Sequence, residues 1–420
     1  VTDWPAPLRN RPLDTEVTIP GSKSLTNRVL VLAALGEDES RVERPLISRD
    51  TDLMAAALES LGARIERHAE QWTIRPIEFG EAPVEIDCGL AGTVMRFVPP
   101  IATLGRAAVT FDGDPRARER PMTGTIAGVR ALGADVDDGR RGSLPFTVHP
   151  RPDARGGEIA IDASASSQFV SALLLVGARF PDGLRIRHTG DVLPSQPHIE
   201  MTITQLRHRG VRVDAEGSSW VVHPGPIASR DVTIEPDLSN AGPFVAAALV
   251  TGGTVRVRQW PEDTDQAGDA WRWIVPAFGG SVRRDDDALV FSGGSALAGV
   301  DVDLHDVGEL TPVVAALAAL ANDPSTLRGI AHLRGHETDR LAALAAEINS
   351  LGGEVTETAD GLHIVPRPLR GGVFDTYHDH RMAHAAAVLG LAVPDLVVAD
   401  IETTAKTYPG FAADWIELCR

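Results

Sequence analysis

The sequence predicts an α/β protein of two inside-out domains, with apolar helices inside and strands outside. Three observations carry this prediction. Two interleaved series of helix stops recur about every 70 residues. The helices ending at the first series are alanine-rich and apolar nearly all round, the pattern of a buried helix. Polar, cation-bearing sequence collects at the starts of those helices rather than along them.

The first series of stops is Gly36, Gly105, Gly177, Gly252, Asn322 and Gly390, with gaps of 69, 72, 75, 70 and 68 residues. The second is Gly62, Gly133, Gly210, Gly279 and Gly352, with gaps of 71, 77, 69 and 73. Gly or Asn just past a helix is expected where φ turns positive. Each unit therefore holds two helices with strands between, and six units account for the chain. The period is too long for propeller blades or the shorter solenoid repeats. A boundary after three units is natural, and PGPIASRD (224–231) is the best hinge.

Composition sets limits on function. The chain has 420 residues, 43% hydrophobic and 23% charged, with a formal net charge of −18. That balance argues against a broadly basic nucleic-acid face. It leaves small anionic ligands open, because local cations decide those. Cys88 and Cys419 belong to no metal-ligand spacing, so no metal site and no cofactor are expected. No long apolar run predicts a membrane span, and the first residues lack the apolar core of a signal peptide. A cytoplasmic protein, and a monomer, is the expectation.

The helix starts carry the chemistry. PGSKSLTNR (20–28) looks like a phosphate cradle but lacks the glycines of the nucleotide loop G-x-x-x-x-G-K-[ST]. Its equivalents are CGLAGTVMRF (88–97), SASSQFVSALLL (164–175), DLSNAGPFVAAAL (237–249), DVGELTPVVAAL (306–317) and HDHRMAHAAAVL (378–389). Each presents free N–H groups and the positive end of a helix dipole. Three parallel helices per domain would bring these ends together, and two domains would form an anion-attracting cleft. Lys23, Arg28, Arg96 and Arg381 add cations, and Ser166, Ser167 and Gln168 add donors. Either serine also suits a helix cap.

Three more clusters lie outside that series. PRARERPM (115–122) holds Arg116, Arg118 and Arg120. HETDRLAAL (336–344) offers Thr338 or Asp339 as a cap and Arg340 in the first turn. A cation there opposes the dipole, so it is costly unless an anion answers it. AKTYPGF (405–411) holds Lys406. Asp50, Asp237, Glu309, Glu337, Asp339 and Asp379 are the candidate acids and bases. Glu309 is the most telling, at the head of an apolar helix.

In order along the chain, PGSKSLTNR, AGTVMR, RERPM, SSQF, HETDRL, DHRM and AKTYPGF resemble the 5-enolpyruvylshikimate-3-phosphate (EPSP) synthase family. The resemblance implies two inside-out α/β domains of three βαβαββ units each, with buried parallel helices whose N-termini converge on the interdomain cleft. The first domain would be discontinuous, residues 1–15 plus 229–420, and the second would span 16–228. The activity implied is transfer of the enolpyruvyl group of phosphoenolpyruvate to the 5-hydroxyl of shikimate 3-phosphate, in aromatic amino acid biosynthesis. Lys23, Ser24, Arg28, Ser166, Ser167, Gln168, Ser195, Glu309, His332 and His336 would contact shikimate 3-phosphate. Lys23, Gly92, Arg120, Gln168, Arg340, Arg381 and Lys406 would contact phosphoenolpyruvate. Lys23, Glu309 and Glu337 would handle protons. Glyphosate sensitivity is implied by the Gly92-Thr93 pair.

The sequence departs from the family's commonest pattern at Leu90, where Asn is usual, and at Glu309, where Asp is frequent. His198, His332 and His336 stand where Tyr, Asn and Lys are frequent. His336 would add positive charge only when protonated, which implies pH dependence near neutrality. Two rivals share related repeats. UDP-N-acetylglucosamine 1-carboxyvinyltransferase usually carries a reactive cysteine in the loop equivalent to PRARERPM, and this loop has none. RNA 3′-phosphate cyclase needs a nucleotide-modified histidine and a more basic face.

Overall fold

The computed structural model describes residues 3–9 and 11–420. The chain divides into two compact units: the residues up to Pro20 together with Glu235–Arg420, and Gly21–Ile234. Both crossings fall a few residues later than the 15/16 and 228/229 expected from sequence. Strand pairing explains the offset. Asp14–Val17 pairs in parallel with Thr254–Val257, which keeps it in the first unit. Val232–Thr233 pairs in parallel with Val42 and Glu43, which keeps it in the second.

Each repeat runs strand, inner helix, strand, outer helix, then a hairpin. The third repeat shows the pattern. Gly157–Ile161 lies parallel to Leu184–His188. Leu184–His188 is antiparallel to Ser219–Val222, which closes a hairpin with Val213–Glu216. Five sheets share this four-strand order, and the sixth has three strands. In that sixth sheet Trp4–Pro5 runs antiparallel to Leu396–Val398 and takes the place of the hairpin. Strand Leu184–His188 alternates buried and exposed residues, so one face meets the helices and the other meets solvent.

The inner helices of the Gly21–Ile234 unit are Lys23–Ala34, Gly92–Ala102 and Gln168–Gly177, and each touches the other two. Those of the other unit are Gly242–Thr251, Thr311–Ala319 and His380–Gly390, likewise in mutual contact. Every residue of Thr311–Ala319 and of His380–Gly390 is buried. Small alanine side chains allow three such helices to approach closely without a polar face. Among the described residues no helix is long and apolar enough to cross a membrane.

The two series of stops prove to have different physical causes. All five glycines of the second series have positive φ, from 77° at Gly210 to 111° at Gly62. In the first series only Gly252 does, at 62°. Gly390 is instead the last residue of its helix, and a Cβ there would lie 2.3 Å from the Cβ of Ala6. Its glycine serves close approach of another chain segment, not a turn of the backbone.

The C-terminal helix Phe411–Leu418 closes the first unit through an aromatic cluster. Phe244 lies 5.8 Å from Tyr408, 5.8 Å from Phe411 and 5.5 Å from Trp415, centroid to centroid. All four side chains are buried. Truncating Phe244 to alanine is expected to cost about 3–5 kcal/mol. Denaturant unfolding checks this, and a loss under about 1 kcal/mol would contradict the packing described.

Candidate active site

In the Gly21–Ile234 unit, side chains in the first turns of the inner helices meet one another. Asn27 Nδ2 donates to Thr93 Oγ1 at 2.7 Å, joining the first and second helices. Arg28 reaches Ser171 of the third, with Nη2 at 3.5 Å from its Oγ. Arg96 lies over the Phe169 ring at 5.8 Å. The three helices therefore run parallel with their N-termini together. Their dipoles add at that end.

Ser22 caps the first helix, its Oγ accepting from the Leu25 N–H. Lys23 then projects from the first turn, with Nζ 3.2 Å from Asp50 Oδ2. Asp50 is buried, so this acid fixes the orientation of the lysine. Arg28 is buried among protein acceptors. Its Nε donates to Thr202 Oγ1 at 2.7 Å, Nη1 to the Ser24 carbonyl at 3.0 Å, and Nη2 to the His198 carbonyl at 2.8 Å. Its guanidinium also stacks on Phe97 at 5.2 Å.

The second helix start is built round Gly92. A Cβ there would stand 3.3 Å from Arg120 Nη1 and 3.4 Å from Arg96 Nη1. Two guanidiniums thus flank one glycine at a helix N-terminus. Burial first, and then the neighbouring Arg120 charge, pull the Arg96 guanidinium well below its usual pKa. Leu90 is buried against the core here. The structure sorts the PRARERPM arginines. Arg116 pairs with Glu119, and Arg118 grips Asp112 through two bonds at 2.8 and 2.6 Å, both on the surface. Arg120 alone of the three turns toward Gly92.

At the third helix start Ser167 makes no side-chain cap bond, while Ser166 Oγ accepts from the Gln168 N–H at 3.3 Å. Gln168 Oε1 and Arg96 Nε are buried with no hydrogen-bond partner. Ser195 sits at the start of Gln196–Arg207 in a left-handed conformation, φ 55°. That conformation costs a non-glycine residue roughly 1–2 kcal/mol.

The other unit gathers the remaining candidates. Arg340 Nε donates to Asp379 Oδ2 at 2.7 Å and Nη2 to Oδ1 at 3.1 Å, with both side chains buried. Burial works against the charged guanidinium. Asp379 outweighs it, with Glu337 and Glu309 adding, so the Arg340 pKa stands above its usual value. The dipole cost expected at this helix start is thus met by a protein carboxylate. Asp339 is the cap, accepting from the Ala342 N–H.

Glu337 is held from two sides. Lys406 Nζ lies 3.1 Å from its Oε1, and His380 Nδ1 lies 3.2 Å from its Oε2. Arg381 Nη1 donates to Asn240 Oδ1 at 3.1 Å, and Asn240 Nδ2 donates to the Thr407 carbonyl at 2.9 Å. Glu309 lies in the turn before Thr311–Ala319 and accepts a hydrogen bond from Ser239 Oγ. Asp237 Oδ1 accepts from the Asn240 N–H. Glu337, Asp379 and His380 could converge on a metal ion, their ligand atoms lying within 4.8 Å of one another. Lys406 and Arg340 already pair with the two carboxylates, so the donor set is charge-matched without one.

Three histidines line up here. His305 and His332 rings lie 5.9 Å apart, and His332 and His336 lie 5.7 Å apart. His336 Nδ1 accepts from Arg340 Nη1 at 3.3 Å. An arginine has no acceptor to offer, so this bond uses the lone pair a proton would need. Burial, followed by His305 and Arg340, pulls His332 down to a pKa of about 4.

Sequence reasoning missed Ser239 and Asn240. Only their place at helix starts signalled them, since each partner lies far away in the chain.

Fold and site together define a class: an α/β protein of repeated units with cations gathered at helix N-termini. The profile for EPSP synthase (3-phosphoshikimate 1-carboxyvinyltransferase) matches residues 9–415. The chain belongs to the EPSP synthase family. It is 56% identical to a 3-phosphoshikimate 1-carboxyvinyltransferase of Kocuria rhizophila, over 99% of this chain and 96% of that protein. Among solved structures, EPSP synthase of Acinetobacter baumannii is similar with a TM-score of 0.80 at 23% identity, covering 100% of this chain and 97% of that one. The enolpyruvyl transferase NikO of Streptomyces tendae gives 0.77 at 17% identity, covering 99% and 97%. At those identities the structural likenesses speak for the fold.

The depressed His332 pKa has a consequence for stability. The unfolded ring binds a proton near pH 6.5 and the folded ring only near 4, so stability present above 6.5 is lost as pH falls toward 4. His332→Asn is expected to lose less stability than the parent between pH 7 and 4.5 in denaturant titrations. Equal losses would place the acid sensitivity elsewhere.

Proposed function

We propose that this chain transfers the enolpyruvyl group of phosphoenolpyruvate to the 5-hydroxyl of shikimate 3-phosphate. The 5-oxygen bonds to C2 of phosphoenolpyruvate while its proton leaves to a base, and the methylene carbon takes a proton to become a methyl. The C2–O bond to phosphate then breaks, and the methyl gives up a proton to restore the double bond. The observation that carries the reading is the Lys406–Glu337–His380 chain beside the Arg340–Asp379 pair. A carboxylate bonded to two proton-bearing groups, next to a buried guanidinium, can exchange a proton where an anion is bound.

In this reading Ser24, Arg28, Ser166, Ser167 and Ser195 hold shikimate 3-phosphate, with His332 and His336 near it. Gly92, Arg120, Arg340, Arg381 and Lys406 hold phosphoenolpyruvate. Lys23 and Gln168 meet both. Glu309 takes the proton of the 5-hydroxyl, and Glu337 serves the methylene carbon. The buried, unpartnered Gln168 Oε1 and Arg96 Nε support a ligand at the helix starts, because such atoms cost about 1–3 kcal/mol each when left unsatisfied. The net charge of −18 disfavours a nucleic-acid partner.

The test is phosphate release with the two substrates. Turnover is expected with shikimate 3-phosphate, and turnover with UDP-N-acetylglucosamine in its place would overturn the reading. Glu309→Gln is expected to lower kcat by roughly 10²–10⁴, the range for general acid–base groups. Glyphosate is expected to compete with phosphoenolpyruvate. In Gly92→Ala the new methyl presses on Arg120 and Arg96, so the inhibition constant for glyphosate should rise. An unchanged constant would place the inhibitor away from Gly92.

A further inference from the structure

A second clamp acts on the helix that begins with Arg340. Glu347 lies seven residues on, two turns along Arg340–Ser350 and on the same face. It is 8% exposed. Its Oε2 accepts from the backbone N–H of Asp375 at 2.9 Å, and its Oε1 accepts from the Tyr377 hydroxyl at 2.6 Å. The Tyr377 N–H in turn donates to Asp375 Oδ1 at 2.8 Å.

The segment so held is strained. Tyr377 and His378 are consecutive left-handed residues, φ 52° and 56°, and neither is glycine. The next residue is Asp379, which grips Arg340 and whose Oδ1 also accepts from the Arg381 N–H at 2.9 Å. Strain of this kind persists only where the surroundings over-determine the backbone. Here Glu347 fixes one end of the segment and the Arg340–Asp379 pair fixes the other. Both fixings belong to one helix, so the loop and the helix set each other's position. The hydrogen bond to Glu347, then burial, push the Tyr377 phenol up to about 12, so it remains a donor across neutral pH.

We infer that Tyr377 and Glu347 are positioning residues for the phosphoenolpyruvate side of the reaction, holding residues 376–379 in their strained form so that Asp379 aims the Arg340 guanidinium. The inference rests on the proposed contact of Arg340 with phosphoenolpyruvate.

Tyr377→Phe keeps the ring and removes the hydroxyl. It is expected to raise KM for phosphoenolpyruvate about tenfold, with kcat within twofold and KM for shikimate 3-phosphate unchanged. Glu347→Ala should do the same more strongly, and Glu347→Gln, which keeps one acceptor, should restore part of the affinity. Hydrogen exchange of amides 375–383 should quicken in Tyr377→Phe. Unchanged KM for phosphoenolpyruvate, or unchanged exchange, overturns the inference. So does a uniform change in kcat and both KM values that follows a fall in Tm, which is the mark of a purely structural role. If the parent protein fails to turn over the two substrates, the functional reading fails by itself. Exchange rates and calorimetric titration with phosphoenolpyruvate then still decide whether the clamp governs anion binding.

Discussion

A helix buried along its whole length has only its ends left for polar chemistry. Six helices here meet that condition closely, and their N-terminal turns carry most of the candidate residues. Each first turn brings up to four N–H groups with no partner within the helix. Packing three such helices in parallel concentrates those donors and their dipoles at one end of each unit. The polar residues at these helix starts answer that constraint. Ser22 and Asp379 satisfy some of the donors directly, as caps. The arginines bring more positive charge to ends that already carry it, and that is a configuration for binding anions, not for stability.

The two units handle their cations differently. In the Gly21–Ile234 unit, Arg96 and Arg120 crowd each other at Gly92, and burial pulls Arg96 down. In the other unit Arg340 is neutralised by Asp379, and Glu337 is shared by Lys406 and His380. The first arrangement concentrates positive charge at one helix start. The second fixes a guanidinium and a carboxylate in register, which suits proton transfer and orientation.

Much of this was legible in the sequence, because repeats and helix starts are local patterns. GSKSLTNR, SSQF and HETDRL announce their chemistry within a few residues. The pairing of Arg340 with Asp379 was not legible, nor were Asn240 with Thr407 or Glu309 with Ser239. Those partners lie 39, 167 and 70 residues apart, and only the packed helices bring them together. Gly390 was misread for a related reason. A helix-ending glycine looks the same in sequence whether it turns the chain or admits a neighbour, and Ala6 is the neighbour. His336 shows the same limit. Its contact with Arg340 Nη1 is a fact of geometry that residue identity does not contain.

The strand exchange at the two crossings bears on how the chain comes off the ribosome. Gly21–Ile234 is contiguous, and all of its strands are present once Thr233 has emerged. Asp14–Val17, made far earlier, pairs among the described residues with Thr254–Val257. At about 5–20 residues per second, it waits roughly ten to fifty seconds for that partner. During the wait it is an unpaired segment that carries Asp14 and Glu16. Charged residues on an edge discourage pairing with the wrong chain. Asp14–Val17 is also the edge strand of the finished sheet, so the same two charges guard that edge after the partner arrives.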